Sequence, residues 1–518
     1  MLDLLIVLAY FTVILVVALR GRDTGTEVSA ESYFLAGRSL RWPSVAMSTI
    51  ATNVQGYQFL GMMGSAYLYG LAQANLEINA VQGILLAAFL FVPLYLKGKV
   101  ITITQFIERR AGARVALAYS LANLALFATV TLGAALFWGA YAAEAVFQDY
   151  LTWISDDPLY RMGAIIVALG LFSALYTYLG GLSAVVNTDI VQFLILLAGG
   201  IVVTLVAIHH LGGWAQLYTL APERMHLHLP PGHPDLPWTL LFGLFFLNIN
   251  YWCANQSVVQ RSLAARSLRE AQVGLLVGGV MKYLMAVIII VPGIALYAIL
   301  QREGSPLPDP DGAFPYLVDT YLPTGIKGII LCALFASLMS TVDSTFNSLA
   351  TLWSVDVYKR HLRPAATDAA MVRAGRRTIL VTLCTGITVG LLLMYLKFAD
   401  PENAFTHTLN SLRYFVNCGI VVVILSVALL IAPVPRTTLW AFLASAPLNL
   451  AILYFFPNMN YFVRAGVVIV SLFVTLQLFV GGGRFRPTRE WFVTGGKDVT
   501  WFGTGLAVSL IVLHVIFH

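Results

Sequence analysis

Residues 331–353 read LCALFASLMSTVDSTFNSLATLW, an apolar run that carries polar groups at Ser337, Ser340, Thr341, Ser344, Asn347, Ser348 and Thr351. Spacings of three and four place these groups along one face of an α-helix. Stacked hydroxyls in hydrocarbon serve either as hard oxygen ligands for a small cation or as glue between helices. Two carboxylates favour the cation: Asp343 lies within the run, and Asp189 opens another apolar stretch, VVNTDIVQFLILLAGGIVVTLVAI (185–208).

With 59% hydrophobic and 11% charged residues and a mean hydropathy of +0.80, the chain belongs among membrane proteins. About 20 apolar residues cross a bilayer. The spans expected are 2–19, 42–70, 75–96, 115–147, 160–179, 184–209, 237–260, 271–300, 314–355, 377–397, 403–432, 438–455, 461–480 and 500–517. That is an all-α membrane protein of about 14 transmembrane helices. Its short connections leave no soluble domain, so residues 1–518 form one transmembrane domain.

Orientation follows from basic residues. If the N-terminus is external, inward segments carry 23 of the 31 Lys and Arg, Arg261 among them. Outward segments carry six, including Arg161 and Arg464, while Lys282 and Arg413 fall within spans. Both termini are therefore expected outside, and the short loops suggest a bacterial inner membrane. The net charge of +6 is topological and implies no nucleic-acid partner. The first span lacks a basic start and a cleavage site, so it reads as a helix and not a signal peptide. Cys253, Cys332, Cys384 and Cys418 lie in apolar spans and read as small buried hydrophobes.

Ionisable groups at membrane depth cost roughly 2.5–3.5 kcal/mol each and need a partner or a role. They are Glu77, Asp189, Lys282, Asp343 and Arg413. Glu77 and Lys282 read either as a buried salt bridge or as a polar site for a hydroxyl-rich ligand. Two spans are interrupted by polar residues: STIATNVQGYQFLGMMGSAYLYG (48–70) and LFFLNINYWCANQSVVQR (244–261). Irregular backbone at this depth is tolerated where it lines an enclosed cavity, and paired breaks point to inverted-repeat transporters. The breaks open the second and seventh spans, five apart, which places Glu77 and Lys282 on equivalent helices.

No nucleophile elbow, P-loop, HExxH or Cys/His cluster is present, so no enzyme activity is expected and transport must draw on ion gradients. His209, His210, His226, His228 and His233 gather around one external loop and read as solvated side chains.

Several stretches resemble the sodium:solute symporters, in particular the sodium/glucose cotransporter branch. They are ESYFLAGRSLRWP (31–43), ATNVQGYQFLGMMGSAY (51–67), FVPLYLKGKVITITQFIERRAG (91–112), YTYLGGLSAVVNTDIVQ (176–192), NYWCANQSVVQRSLAARS (250–267) and FASLMSTVDSTFNSLATLWSVDVYK (335–359). The resemblance fades after about residue 433. It implies a leucine-transporter-like core of five plus five helices: an extra N-terminal helix at 1–20, a first repeat at 42–210, an inverted second repeat at 237–433, and peripheral helices at 434–518. It also implies Na⁺ as the coupling ion, held by the carbonyls of Ala51, Val54 and Ser337 and the hydroxyls of Ser340 and Thr341. A second sodium would involve Asp189, Ser340, Asp343 and Ser344, with Asp343 standing where the family usually has Ser or Thr.

For a sugar, the resemblance maps contacts to Gln58, Glu77, Asn248, Lys282 and Asn410, outer gates to Met62 and Leu76, and an inner lid to Tyr251. Leu76, Ile78, Ala80 and Asn410 depart from the usual residues, which leaves hexose, polyol or another hydroxylated solute open. The implied partner is a small neutral solute imported with sodium by a monomer or weak homodimer. Rival readings are a symporter of the same fold for an acidic sugar, amino acid or carboxylate, with Lys282 or Arg413 as counter-charge, and a transporter-like sensor. The sensor would need an output domain, whereas the sequence ends directly after a span. One sodium crossing 100 mV contributes about 2.3 kcal/mol, and a tenfold gradient adds about 1.4 kcal/mol.

Overall fold

In the computed structural model, residues 2–20, 28–56, 58–399 and 405–518 are described, apart from the side chains of 405–412 and 489. Among these residues the chain is helical throughout, with isolated β-bridges only in loops. In chain order the principal helices are α1 (Leu2–Arg20), α2 (Trp42–Asn53), α3 (Gln58–Lys97), α4 (Ala113–Leu151), α5 (Pro158–Leu211), α6 (Leu240–Ile249) and α7 (Gln256–Leu263). They continue with α8 (Leu268–Glu303), α9 (Ile326–Leu362), α10 (Asp368–Ala399), α11 (Phe405–Leu429), α12 (Pro435–Phe455), α13 (Tyr461–Val480) and α14 (Lys497–Ile516). Ten of these runs are long and apolar enough to cross a membrane.

Helices and expected spans do not match one to one. The spans expected at 160–179 and 184–209 are the two arms of α5, which bends at Gly181. Gly181 has φ +56, and a Cβ there would stand 2.4 Å from the Tyr33 carbonyl oxygen, so only glycine suits the bend. The span expected at 314–355 is divided: Ala313–Tyr321 is a separate short helix, Pro323 and Gly325 break the chain, and α9 begins at Ile326.

Helix α9 is the centre of the molecule. Its most apolar window is 94% buried, against 22% for α12 and α14. It packs most extensively on α5 and also meets α1, α2, α4 and α10. A helix enclosed on all sides has no solvated face, so its polar stripe must be satisfied by protein or ligand.

The two interrupted spans break in the same way. Helix α2 ends at Asn53, and Val54 is extended at φ −78, ψ 118. Helix α6 passes through a π-helical turn at Asn250–Ala254, and Asn255 is extended at φ −83, ψ 116. Asn255 then caps α7 by accepting from the Ser257 amide at 2.9 Å.

The C-terminal helices brace the second break. A Cβ on Gly243 of α6 would fall 1.6 Å from the Phe462 carbonyl oxygen of α13, and Gly466 returns the close approach. Gly243→Ala is therefore expected to destabilise the protein by about 1–3 kcal/mol. Thermal unfolding in detergent checks this against Gly505→Ala, where a Cβ meets nothing within 4 Å.

Three arginines assigned to loops by the sequence, Arg161, Arg261 and Arg464, are buried. Arg161 pairs with Glu144 near the end of α4. The charge asymmetry persists without them. Cys384 is exposed on α10, contrary to the expectation of a buried side chain, while Cys253, Cys332 and Cys418 are buried. The histidines of the 209–233 segment are not all solvated: His228 Nε2 lies 3.0 Å from His514 Nδ1 and is part-buried.

Candidate ion and solute site

The polar stripe of α9 faces α2, and the side chains of Ser337, Ser340, Thr341 and Ser344 are all buried. Ser340 Oγ donates to the Ala51 carbonyl at 2.8 Å and the Ser337 carbonyl at 3.1 Å. Thr341 Oγ1 donates to the carbonyls of Thr52 and Ser337, each at 3.3 Å. The Ala51 carbonyl is free to be used this way for a local reason. Its helical partner would be the Gln55 amide, but that amide instead donates to Gln58 Oε1 at 2.7 Å. Val54 keeps its amide on the Ile50 carbonyl at 3.0 Å, but the Gln58 amide that would bond its own carbonyl in a helix donates to the Gln55 carbonyl instead, at 2.9 Å. Main-chain and hydroxyl oxygens from two helices thus converge, and a buried, oxygen-only donor set of this kind suits a small hard cation.

Asp189, Ser340, Asp343 and Ser344 meet different fates. Asp189 Oδ2 accepts from Ser48 Oγ at 2.5 Å and from Arg261 Nη2 at 3.2 Å. The same guanidinium contacts Ser344 Oγ and the Ser257 carbonyl, and its Nε donates to Ser48 Oγ at 3.0 Å. Asp189 and Arg261 both have side-chain exposures of 0%. Asp343 Oδ2 accepts from the Tyr176 hydroxyl at 2.5 Å. Three of the four groups named for a second cation are therefore already engaged by side chains of α5 and α7, and Ser340 by the carbonyl of Ala51. Sequence reasoning missed Arg261, which it counted among the loop charges, and it missed Tyr176 and Ser48.

Glu77 and Lys282 are in direct contact, as expected of one of the two readings, and each is almost fully buried. They also belong to a larger chain. Lys282 Nζ donates to Asn53 Oδ1 at 2.6 Å, and Gln58 Nε2 donates to Glu77 Oε1 at 2.7 Å. Both additional partners lie at the break after α2. Asn248 Nδ2 donates to the Asn79 carbonyl at 2.9 Å, tying α6 to the α3 run.

A cavity of about 380 Å³ is lined by Gln58, Glu77, Asn248 and Lys282, by Met62, Leu76 and Tyr251, and by Arg413. The Asn410 side chain lies outside the described residues. Tyr461 and Phe462, from a helix expected to be peripheral, also line it. Ser65, Gln73 and Leu76 are shared with an adjoining cavity of about 850 Å³ that reaches Asp235 and Asn460. That opening lies on the face of the His226–His233 loop. On the opposite face the second break is sealed: Tyr95 and Tyr119 donate to the carbonyls of Cys253 and Ala254 at 2.7 and 2.5 Å. Gln260 Nε2 there donates to the Phe34 carbonyl at 2.6 Å and to Thr351 Oγ1 at 2.9 Å.

A model of the sodium:solute symporter family matches residues 33–429. Over 408 residues the chain is 33% identical to a sodium/glucose cotransporter of Vibrio parahaemolyticus, covering 74% of this chain and 73% of that protein. Over 423 residues it is 30% identical to sodium/glucose cotransporter 1 of Ovis aries, covering 74% of this chain and 62% of that protein. It thus spans less than two thirds of the ovine relative's length. Among solved structures it is similar to a substrate-bound, outward-open Na⁺-coupled sialic acid symporter, with a TM-score of 0.82 and 20% identity, covering 94% of this chain and 99% of that one. A closed nucleobase-cation-symport-1 family transporter is a more distant likeness, at a TM-score of 0.50 and 14% identity. These structural likenesses concern the fold.

Proposed function

The chain belongs to the sodium:solute symporter family, and we propose that it imports a sugar or sugar-like polyhydroxylated solute together with sodium, by alternating access. Sodium coupling comes with the family. The solute class draws on the sodium/glucose cotransporter relatives and on the cavity's own chemistry. Amide, carboxylate and ammonium groups from Gln58, Glu77, Asn248 and Lys282 can donate to and accept from several hydroxyls at once.

The observation that carries the reading is the hydrogen-bond chain joining the two sites. Lys282, Glu77 and Gln58 hold the Gln55 amide away from Ala51, so the solute cavity and the oxygen cluster on α9 share one broken helix. The proposed sodium ligands are the carbonyls of Ala51, Val54 and Ser337 and the hydroxyls of Ser340 and Thr341. Sodium entering from outside replaces the four hydroxyl-to-carbonyl bonds, two of which cross from α9 to α2, and fixes α2 against α9. That preorganises Gln58 and Glu77 for the solute, a positive coupling that must be reciprocal. Met62 and Leu76 would close the outer side over the solute, and Tyr251 would open the inner one.

Repeats at 42–210 and 237–433 would rock about this point, with both termini external in a cell inner membrane. One copy of the chain contains both sites, consistent with a working monomer. Sodium-dependent uptake into proteoliposomes, with a panel of labelled sugars, polyols and sugar acids, tests the whole reading. Ser340→Ala and Thr341→Ala are each expected to raise the sodium concentration for half-maximal uptake by about tenfold to a hundredfold, the usual worth of a bond to a charged group. Unaltered sodium activation in both variants would remove the cation cluster from the mechanism.

A further inference from the structure

We infer that the solute is an acid, a monoanionic sugar carboxylate, and that Arg413 is the side chain that selects it. The inference rests on the proposed solute cavity and narrows its occupant. Among the described residues only three charged side chains line that cavity: Glu77, Lys282 and Arg413. Glu77 and Lys282 touch each other and cancel. Arg413 forms no ion pair with any carboxylate of the described residues, and it is half-buried in the cavity wall on α11.

Among the described residues, therefore, no carboxylate compensates this positive charge in the cavity wall. Such a charge is costly unless an anion meets it. A guanidinium offers a planar fork of donors matched to a carboxylate, with two parallel hydrogen bonds. A single excess charge balances a carboxylate and not a phosphate dianion. The objection that Glu77 repels anions fails, because Lys282 neutralises it at contact distance. The remaining wall suits a hydroxylated ring. Gln58 and Asn248 supply donors and acceptors, and the Tyr251 and Tyr461 rings supply flat apolar faces.

Matched pairs of sugar and sugar acid test the inference: D-galactose with D-galacturonate, and D-glucose with D-glucuronate. Sodium-driven uptake is measured in proteoliposomes of the full-length chain. At least one acid is expected to be taken up with a Michaelis constant tenfold or more below that of its neutral parent. Arg413→Gln is expected to abolish that preference, weakening acid uptake ten- to a hundredfold more than uptake of the neutral parent. Arg413→Lys, which keeps the charge but not the fork, should retain part of it. The preference of the unaltered protein is decisive even if a variant folds poorly. Equal or better uptake of both neutral parents overturns the inference and leaves sugar symport standing. Uptake of none of the four, with pyruvate or glutamate carried instead, overturns sugar symport and this inference together.

Discussion

Lys282→Ala is expected to abolish solute uptake, with a loss of more than a hundredfold, while sodium binding to the protein persists. The size follows from what remains. Glu77, 3% exposed, would keep its carboxylate with only the Gln58 amide beside it. Removing one partner of a buried ion pair typically costs 3–5 kcal/mol. Glu77→Ala should fail equally, for the mirrored reason. Lys282→Met combined with Glu77→Gln removes both charges and leaves none uncompensated, so it should restore folding without restoring uptake. Thermal unfolding and radiolabelled sodium binding separate the two effects. Uptake at the wild-type rate in either single variant would show that the pair is only a structural clamp.

The same pair also explains why sodium and solute respond to one another. Lys282 reaches Asn53, and Glu77 reaches Gln58, so both charges grip the residues on either side of the break. Gln58 in turn occupies the Gln55 amide and so exposes the Ala51 carbonyl toward Ser340. A solute hydroxyl that competes for Gln58 or Glu77 alters the position of an oxygen in the α9 cluster. No long-range pathway is required, because only a few residues of one broken helix separate the two sites.

Much of this was legible in the sequence because polar residues in hydrocarbon are informative. The stripe on α9, the two breaks, and the pairing of Glu77 with Lys282 all follow from side chains too costly to place without a purpose. The bend at Gly181 was not legible. Neighbouring glycines in an apolar run look alike until Tyr33 is found against one of them. Arg261 was misread for a more instructive reason. It follows the second break by six residues and precedes Arg266 and Arg269, so positive-inside counting places it in a loop. Its true position depends on α7 folding back beneath the break, a tertiary fact. Arg413 was legible as a charge in a span and as a counter-charge for an acidic solute, but that it lines one cavity with Glu77 and Lys282 required the fold.

Arg261→Met is the second variant expected to have a large effect, and its failure should differ in kind from that of Lys282→Ala. The guanidinium joins three elements: Ser48 on α2, Asp189 on α5 and Ser344 on α9, all from α7 on the sealed side. Without it Asp189 keeps only the Ser48 hydroxyl in a fully buried environment, again a loss of about 3–5 kcal/mol. Lysine is no substitute, because a single ammonium cannot reproduce the Nε contact to Ser48 and the Nη2 contacts to Asp189 and Ser344 together. The interactions lost are those that hold α7 against α2, so the sealed side should weaken before the open cavity does. Arg261→Met is accordingly expected to lower thermal stability and to make Cys253, buried at the break, reactive toward a maleimide in detergent. Asp189→Asn in the same chain should recover much of the stability, since it removes the stranded charge, but not the seal, since the bonds to Ser48 and Ser344 are still missing. If Cys253 stays unreactive in both variants, the arginine stabilises the fold without guarding the sealed side. If stability recovers and Cys253 remains reactive, the guanidinium holds the seal as well as the fold.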